Sequence, residues 1–230
     1  MDMTRYLSAG VFVDATASQV AAFADQATKG ATDAGMAVLR LYYAVRDSII
    51  YDPYVNLADP ENYRASGVLA RARGFCIGKS AVLAASARSI GVPARLGFAD
   101  VRNHLTSPRL YEKIKTDTFL WHSYTELYLS GRWVKATPAF DKALCDRIGL
   151  KPLPFDGETD SLFQPFDDAG RRHMEYLNDR GTFADVPFAA ITADFIAYYP
   201  SLMSGEGITG DFRAEAVAQT MTQPRLNAKD

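Results

Sequence analysis

The 230-residue chain carries two cysteines, Cys76 and Cys145, and three histidines, His104, His122 and His173. A thiol and an imidazole together make a nucleophile with its own proton carrier, the chemistry of acyl transfer through a thioester. Six Cys–His pairings are possible, and local setting singles out one of them. Cys76 follows Gly74-Phe75 at the first turn of an expected helix. The N–H groups there lack intrahelical partners and carry partial positive charge. Both favour a thiolate and a lowered thiol pKa. The same groups can hold the oxyanion that forms when the thiolate attacks a carbonyl. Gly74 lets the backbone turn sharply and lets substrate come close. The competing reading of Cys76 is a small buried hydrophobe, the common fate of a free cysteine. His122 opens an alternating run of aromatic and polar residues, with Trp121 and Tyr124 beside it. His104 stands in a Pro/Ser-rich loop and reads as a surface or substrate-side residue. His173 follows Arg171-Arg172 and reads as structural, and Cys145 reads as a spare, packed thiol.

The elements that must position this pair follow from periodicity. Helices are expected over 19–28, capped by Thr16 or Ser18, over 32–48, and over 66–72. Tyr51-Asp52-Pro53 stops the second of these, because proline disfavours helix at the residue before it. The most regular segment is 76–91, where Ala81, Ala84, Ala85 and Arg88 fall at helical spacing and Gly91 and Pro93 supply the stop. Such a helix of small residues can be packed closely on all sides. A strand is expected over 92–101, then a hairpin of 122–129 and 133–137 joined by Ser130-Gly131-Arg132. A further hairpin over 163–177, a helix over 187–199 and a short helix over 211–220 complete the chain. Helices first and strands afterwards give an α+β fold. Residues 1–200 are expected to form a single domain, with its core motifs in 65–141, and residues 201–230 a partly flexible extension.

Composition narrows the function classes. With 48% hydrophobic and 23% charged residues and a net charge of −2, the chain reads as an ordinary globular protein. It has no electrostatic footprint for nucleic acid or an anionic membrane. Two cysteines do not make a disulfide scaffold. The sequence has no CxxC, HExxH, GxGxxG or P-loop motif, so no metal or cofactor is expected. No apolar run reaches signal-peptide or membrane-spanning length, which points to the cytoplasm.

Two blocks then carry a resemblance. Residues 72–83 (ARGFCIGKSAVL) and 89–96 (SIGVPARL) look like a G-x-C motif, a small-residue helix and an R-x-x-G-[IV]-P-A-R ending. Residues 121–134 (WHSYTELYLSGRWV) look like H-x-[WY]-x-E-[VL]-Y, a turn and G-x-W-V. Together, in this order, they resemble the core of the bacterial transglutaminase-like superfamily, whose members share the papain-like fold. The resemblance implies the catalytic cysteine at a helix N-terminus, the histidine on an antiparallel sheet, and a Cys/His/Asp triad. Cys76 and His122 match the first two positions. The family's aspartate stands in an Asp-Pro pair after the return strand, where this chain has Thr137-Pro138, with Asp141 just beyond. A three-residue turn sets His122 opposite Phe140 and Thr137 opposite Thr125. A one-residue bulge near Pro138 then brings Asp141 beside His122. Asp141 is the expected orienting acid and Thr137 the alternative.

Softer expectations attach to the neighbours. Glu126 reads as a salt-bridge partner of Arg95 or a second acceptor behind His122. Trp121 and Tyr124 read as packing or as cleft walls. Tyr51 and Tyr54 are candidate oxyanion-side donors. Arg71, Arg73 and Lys79 are either a solvated rim or electrostatic support for the thiolate. The function expected from all this is thiol-dependent acyl transfer on amide or peptide bonds. The product of water attack is an amidase or protease reaction, and of amine attack a transglutaminase reaction. The resemblance inclines toward hydrolysis, since bacterial members are often proteases or amidases. The alternative is an inactive module of the same fold that binds a peptide or protein partner.

Overall fold

Helix α4 (Cys76–Ser89) shows why the chain folds as it does. Every residue from Ile77 to Arg88 is buried. A helix with no face exposed to water belongs in the centre of a protein, its few polar side chains included. Its Gly78, Ala81, Ala84, Ala85 and Ala87 have little or no side chain, so neighbours approach on every side. The computed structural model describes residues 2–103, 108–163, 174–203, 205 and 208–216. In it, α4 packs against helices α1 (Ser18–Thr28), α2 (Ala34–Ser48) and α3 (Ala65–Arg71), and also against the main sheet.

The main sheet is antiparallel throughout, in the order β5 (Arg132–Ala136), β4 (Thr118–Leu129), β3 (Ala94–Asn103), β6 (Met174–Phe183). Helix α5 (Pro108–Ile114) lies between β3 and β4 in sequence. Helix α6 (Lys142–Ile148) follows β5, and α7 (Phe188–Tyr198) follows β6 and packs against β4. Leu96, Phe98 and Leu127 of the sheet and Ile77 and Leu83 of α4 are wholly buried between the layers. Each such side chain contributes about 1.5–3 kcal/mol.

Several boundaries differ from expectation for identifiable reasons. The residue that caps α1 is Ala17, with no side-chain bond, and neither Thr16 nor Ser18 takes that role. Helix α2 starts two residues later than expected, because Asp33 accepts the Met36 N–H at 2.8 Å. Ile50 and Tyr51 form a two-residue strand, β1, parallel to β2 (Arg73–Gly74). A pair that short leaves no periodicity to read. The turn after β4 has two residues, Ser130 and Gly131, both with positive φ (49° and 85°). That is the primed geometry matching the twist of paired strands. Leu129 therefore faces Arg132 and Thr125 faces Ala136, one residue off the expected register. The ladder ends there, and His122 pairs on its other side with Ala99 of β3.

The expected hairpin over 163–177 falls mostly on 164–173, outside the described residues, as do His104 and His173. Residues 174–177 begin β6, which pairs with β3. Residues 212–216 are helical and belong to the expected short helix. Among the described residues no helix is long and apolar enough to cross a membrane.

Gly78 sets a tight tolerance on α4. A Cβ there would lie 2.4 Å from the Asn62 carbonyl oxygen and 2.8 Å from Val68 Cγ2. The first of these is backbone and cannot swing aside. Gly78→Ala is expected to destabilise the protein by about 1–3 kcal/mol, although alanine is the better helix former. A lowered denaturant midpoint checks this.

Candidate active site

Cys76 is the first residue of α4, after Phe75 in extended conformation. The β1–β2 pair fixes its approach: Ile50 N–H donates to Ala72 O at 2.9 Å and Asp52 N–H to Gly74 O at 3.0 Å. The residue is half-buried. Burial pushes its thiol up to about 11, against the N–H groups of Ser123, Ile77 and Cys76 itself, which favour the thiolate. The expectation of a lowered thiol pKa is thus reversed for the thiol taken alone. The helix N-terminus is in place, but desolvation outweighs it.

His122 is buried on β4, directly after a backbone irregularity. Ala99 pairs with His122 and Val101 with Phe119, so β4 carries one extra residue over this step. Trp121 takes a left-handed conformation there, with φ +60°. For a bulky residue that costs about 1–2 kcal/mol. A polar clamp holds it. The Trp121 N–H donates to Asp100 Oδ1 at 3.1 Å and its indole Nε1–H to Asp194 Oδ2 at 2.8 Å. Arg180 joins the two carboxylates, donating from Nε to Asp100 and from Nη1 to Asp194, each at 2.6 Å. Its guanidinium also lies 4.4 Å from the centre of the Trp121 ring system. Strain of this kind persists only where its surroundings enforce it, and here it re-aims the next residue, His122.

Cys76 and His122 open into one cavity of about 80 Å³. Tyr51, Phe119, Trp121, Phe140 and Phe163 are among its walls, and the Phe163 ring lies 5.4 Å from the His122 ring. Asp141 adjoins this space through Phe140 and Tyr51. It is almost fully buried and caps α6. Its Oδ1 accepts from the Leu144 N–H at 3.0 Å and from Arg213 Nη2 at 2.5 Å. Its Oδ2 accepts from the Tyr51 N–H at 3.0 Å. Burial works against its charge, but the Tyr51 N–H, Arg213 and the Leu144 N–H prevail and hold the carboxyl below the usual range. Thr137 is also buried. Its N–H donates to Ser161 O at 3.1 Å and its carbonyl accepts from the Tyr42 hydroxyl at 3.2 Å.

The remaining sequence candidates sort by contact. Glu126 accepts from Arg95 Nε at 2.5 Å, so the pair is an ion pair between β3 and β4. Trp121 does wall the cavity. Tyr124 packs instead, its ring occupying the space that a Cβ on Gly97 would need. Tyr51 lines the cavity, whereas the Tyr54 hydroxyl donates to Glu215 at 2.6 Å. Arg71 pairs with Asp59 and Arg73 with Asp52. Lys79 is fully buried and donates to the carbonyls of Arg46 (2.9 Å) and Ile49 (2.6 Å) at the end of α2. Burial lowers its amine to about 7, although Asp141 and Asp47 pull the other way. Cys145 is buried and its thiol is pushed up to about 12 by that burial. Sequence reasoning missed Asp100, Arg180, Asp194 and Arg213. No pattern in the sequence marks them, because each acts through a contact with a residue distant along the chain.

The profile of the transglutaminase-like superfamily matches residues 21–138, just over half of the chain. The chain belongs to the transglutaminase-like superfamily. The matched span contains Cys76, His122 and Thr137 and stops short of Asp141. A search of curated proteins finds no match. Among solved structures, the chain resembles a candidate cysteine protease from Cytophaga hutchinsonii, with a TM-score of 0.52 and 14% identity. The match covers 83% of this chain and 50% of that one, so this chain spans half the length of that protein. At that identity the likeness is one of fold, and it agrees with the expected transglutaminase-like, papain-like α+β architecture.

Two tests follow from the surroundings of the site. Arg180→Met leaves Asp100 and Asp194 without their shared cation. It is expected to cost about 1–3 kcal/mol and to shift the NMR resonances of the His122 ring. Lys79, with a folded-state pKa near 7 against an ordinary 10.5, binds a proton in the unfolded chain that the folded chain lacks between those values. Its contribution to stability therefore rises with pH across that window and is lost as pH falls through 7. The stability gap between wild type and Lys79→Met should accordingly widen from pH 7 to pH 10 in denaturant titrations.

Proposed function

We propose that this protein is a thiol-dependent acyl-transfer enzyme acting on amide or peptide bonds, with Cys76 as nucleophile and His122 as general acid and base. The observation that supports this best is that a helix-start cysteine and a strand histidine line one cavity. A thiol pushed up to about 11 is thiolate in only about one molecule in ten thousand at pH 7. His122 must therefore take the proton as the sulfur attacks. The carbonyl π electrons move to oxygen, where the N–H groups at the start of α4 can receive them. Imidazolium then protonates the leaving amine, the C–N bond breaks and a thioester remains on Cys76. Water, deprotonated by His122, completes hydrolysis; an amine in its place completes transamidation. We favour hydrolysis, in keeping with the neighbouring fold's description as a candidate cysteine protease.

Asp141 is proposed as the orienting acid. Its charge is secured by Tyr51, Leu144 and Arg213, and a carboxylate with about four acceptor sites has room for one donor beyond these three. Thr137 is the neutral alternative, at the place of the family's aspartate. That substitution also favours a second reading, an inactive module that binds a peptide or protein through the same cavity.

Alkylation of Cys76 by iodoacetamide, followed by mass spectrometry across pH 5–11, separates these readings. An active pair gives an alkylation limb below pH 8 that His122→Ala slows at least tenfold. Asp141→Asn should move that limb to lower pH, because an imidazolium without its carboxylate loses its proton more easily. Alkylation that rises only near the buried thiol's own pKa, unchanged in His122→Ala, would sink the catalytic reading and leave the binding module.

A further inference from the structure

We propose that the cavity beside Cys76 and His122 is the acyl-side pocket of this enzyme and takes an uncharged, branched aliphatic group next to the scissile carbonyl. The inference rests on the acyl-transfer reading above and adds a substrate class to it. Val101, Phe119, Phe140, Phe163, Met174 and Leu202 supply apolar walls. Among the described residues, no Lys, Arg, Asp or Glu lines the cavity. A charged side chain entering it would give up its hydration without gaining a counter-charge from any of the described residues. An apolar one gains roughly fourfold in affinity for each methylene withdrawn from water.

Size narrows the occupant further. The cavity holds about 80 Å³, roughly half the volume of an engineered apolar cavity that admits benzene. A side chain like that of valine or leucine fits within it. The group attached to the acyl carbon is the occupant because that carbon becomes bonded to the Cys76 sulfur. It therefore stays beside the cavity until the thioester is broken, whereas the amine departs in the first step.

Three 4-nitrophenyl esters test this on the wild-type protein: isovalerate, acetate and the monoester of glutarate. In each, the Cys76 sulfur bonds to the carbonyl carbon, the C–O bond breaks and nitrophenolate leaves with the electron pair. The thiol proton passes to His122. Rates of nitrophenolate release are divided by those of the same esters with free cysteine, and the Cys76 adduct is read by mass. Isovalerate should acylate Cys76 at least tenfold faster than acetate, and glutarate more slowly than acetate. Leu202→Lys, which places a cation on the cavity wall, should narrow the gap between glutarate and isovalerate. Equal normalised rates, or a glutarate preference in the wild type, would overturn the pocket assignment while leaving Cys76 as a nucleophile. Failure of all three esters to acylate Cys76, in protein whose circular dichroism shows it folded, would overturn the acyl-transfer reading and the pocket with it.

Discussion

Helix α4 is enclosed on every side, and almost everything near Cys76 follows from that enclosure. Three helices and a sheet can meet one helix only if its side chains are small, hence the run of glycine, serine and alanine along it. The enclosure also places the first turn of α4 against β4, bringing the Cys76 thiol and the His122 ring to one space. A thiol there is desolvated. The same burial that brings the two side chains together therefore opposes the charged form of the thiol. Lys79, one turn further along, meets the opposite version of the same cost, with its ammonium disfavoured and its amine committed to two carbonyls of the α2 end.

Charges close to the core survive where several donors or acceptors share them. Asp141 keeps its charge through two backbone N–H groups and a guanidinium from the far end of the chain. Asp100 and Asp194 share the Arg180 guanidinium, and together they fix the left-handed Trp121. The strain in that residue is local, but the groups that hold it come from β3, β6 and α7. The direction of the His122 side chain is thus set by three elements besides its own.

Much of this could be read from the sequence, and the parts that could not share a cause. The small-residue periodicity of α4 and its Gly91 ending were legible because a buried helix leaves its pattern over four turns. The strand of His122 was legible through its alternation, but only from residue 122 onward. The extra residue at Trp121 shifts the phase, and that hid the stretch from Thr118 to Trp121. The turn was placed correctly and counted wrongly, because Ser130-Gly131-Arg132 reads equally well as two residues or three. The β1–β2 pair and the Asp100–Arg180–Asp194 clamp left no trace, since each depends on contacts between residues more than ten positions apart or on only two residues per strand.

Arg213 reaches Asp141 across 72 residues, Glu215 reaches Tyr54 across 161, and Phe212 packs edge-on against both Tyr51 and Tyr54. Closing such long intervals carries an entropic cost that a chain meets late in folding. During synthesis, the helical core and sheet can assemble while these partners are still unmade. The surroundings of Asp141 and Tyr51 are completed only when residue 213 has arrived. Residues 212–215 thus join Tyr51, Tyr54 and Asp141 into one cluster, which forms later than the helices and sheet it covers.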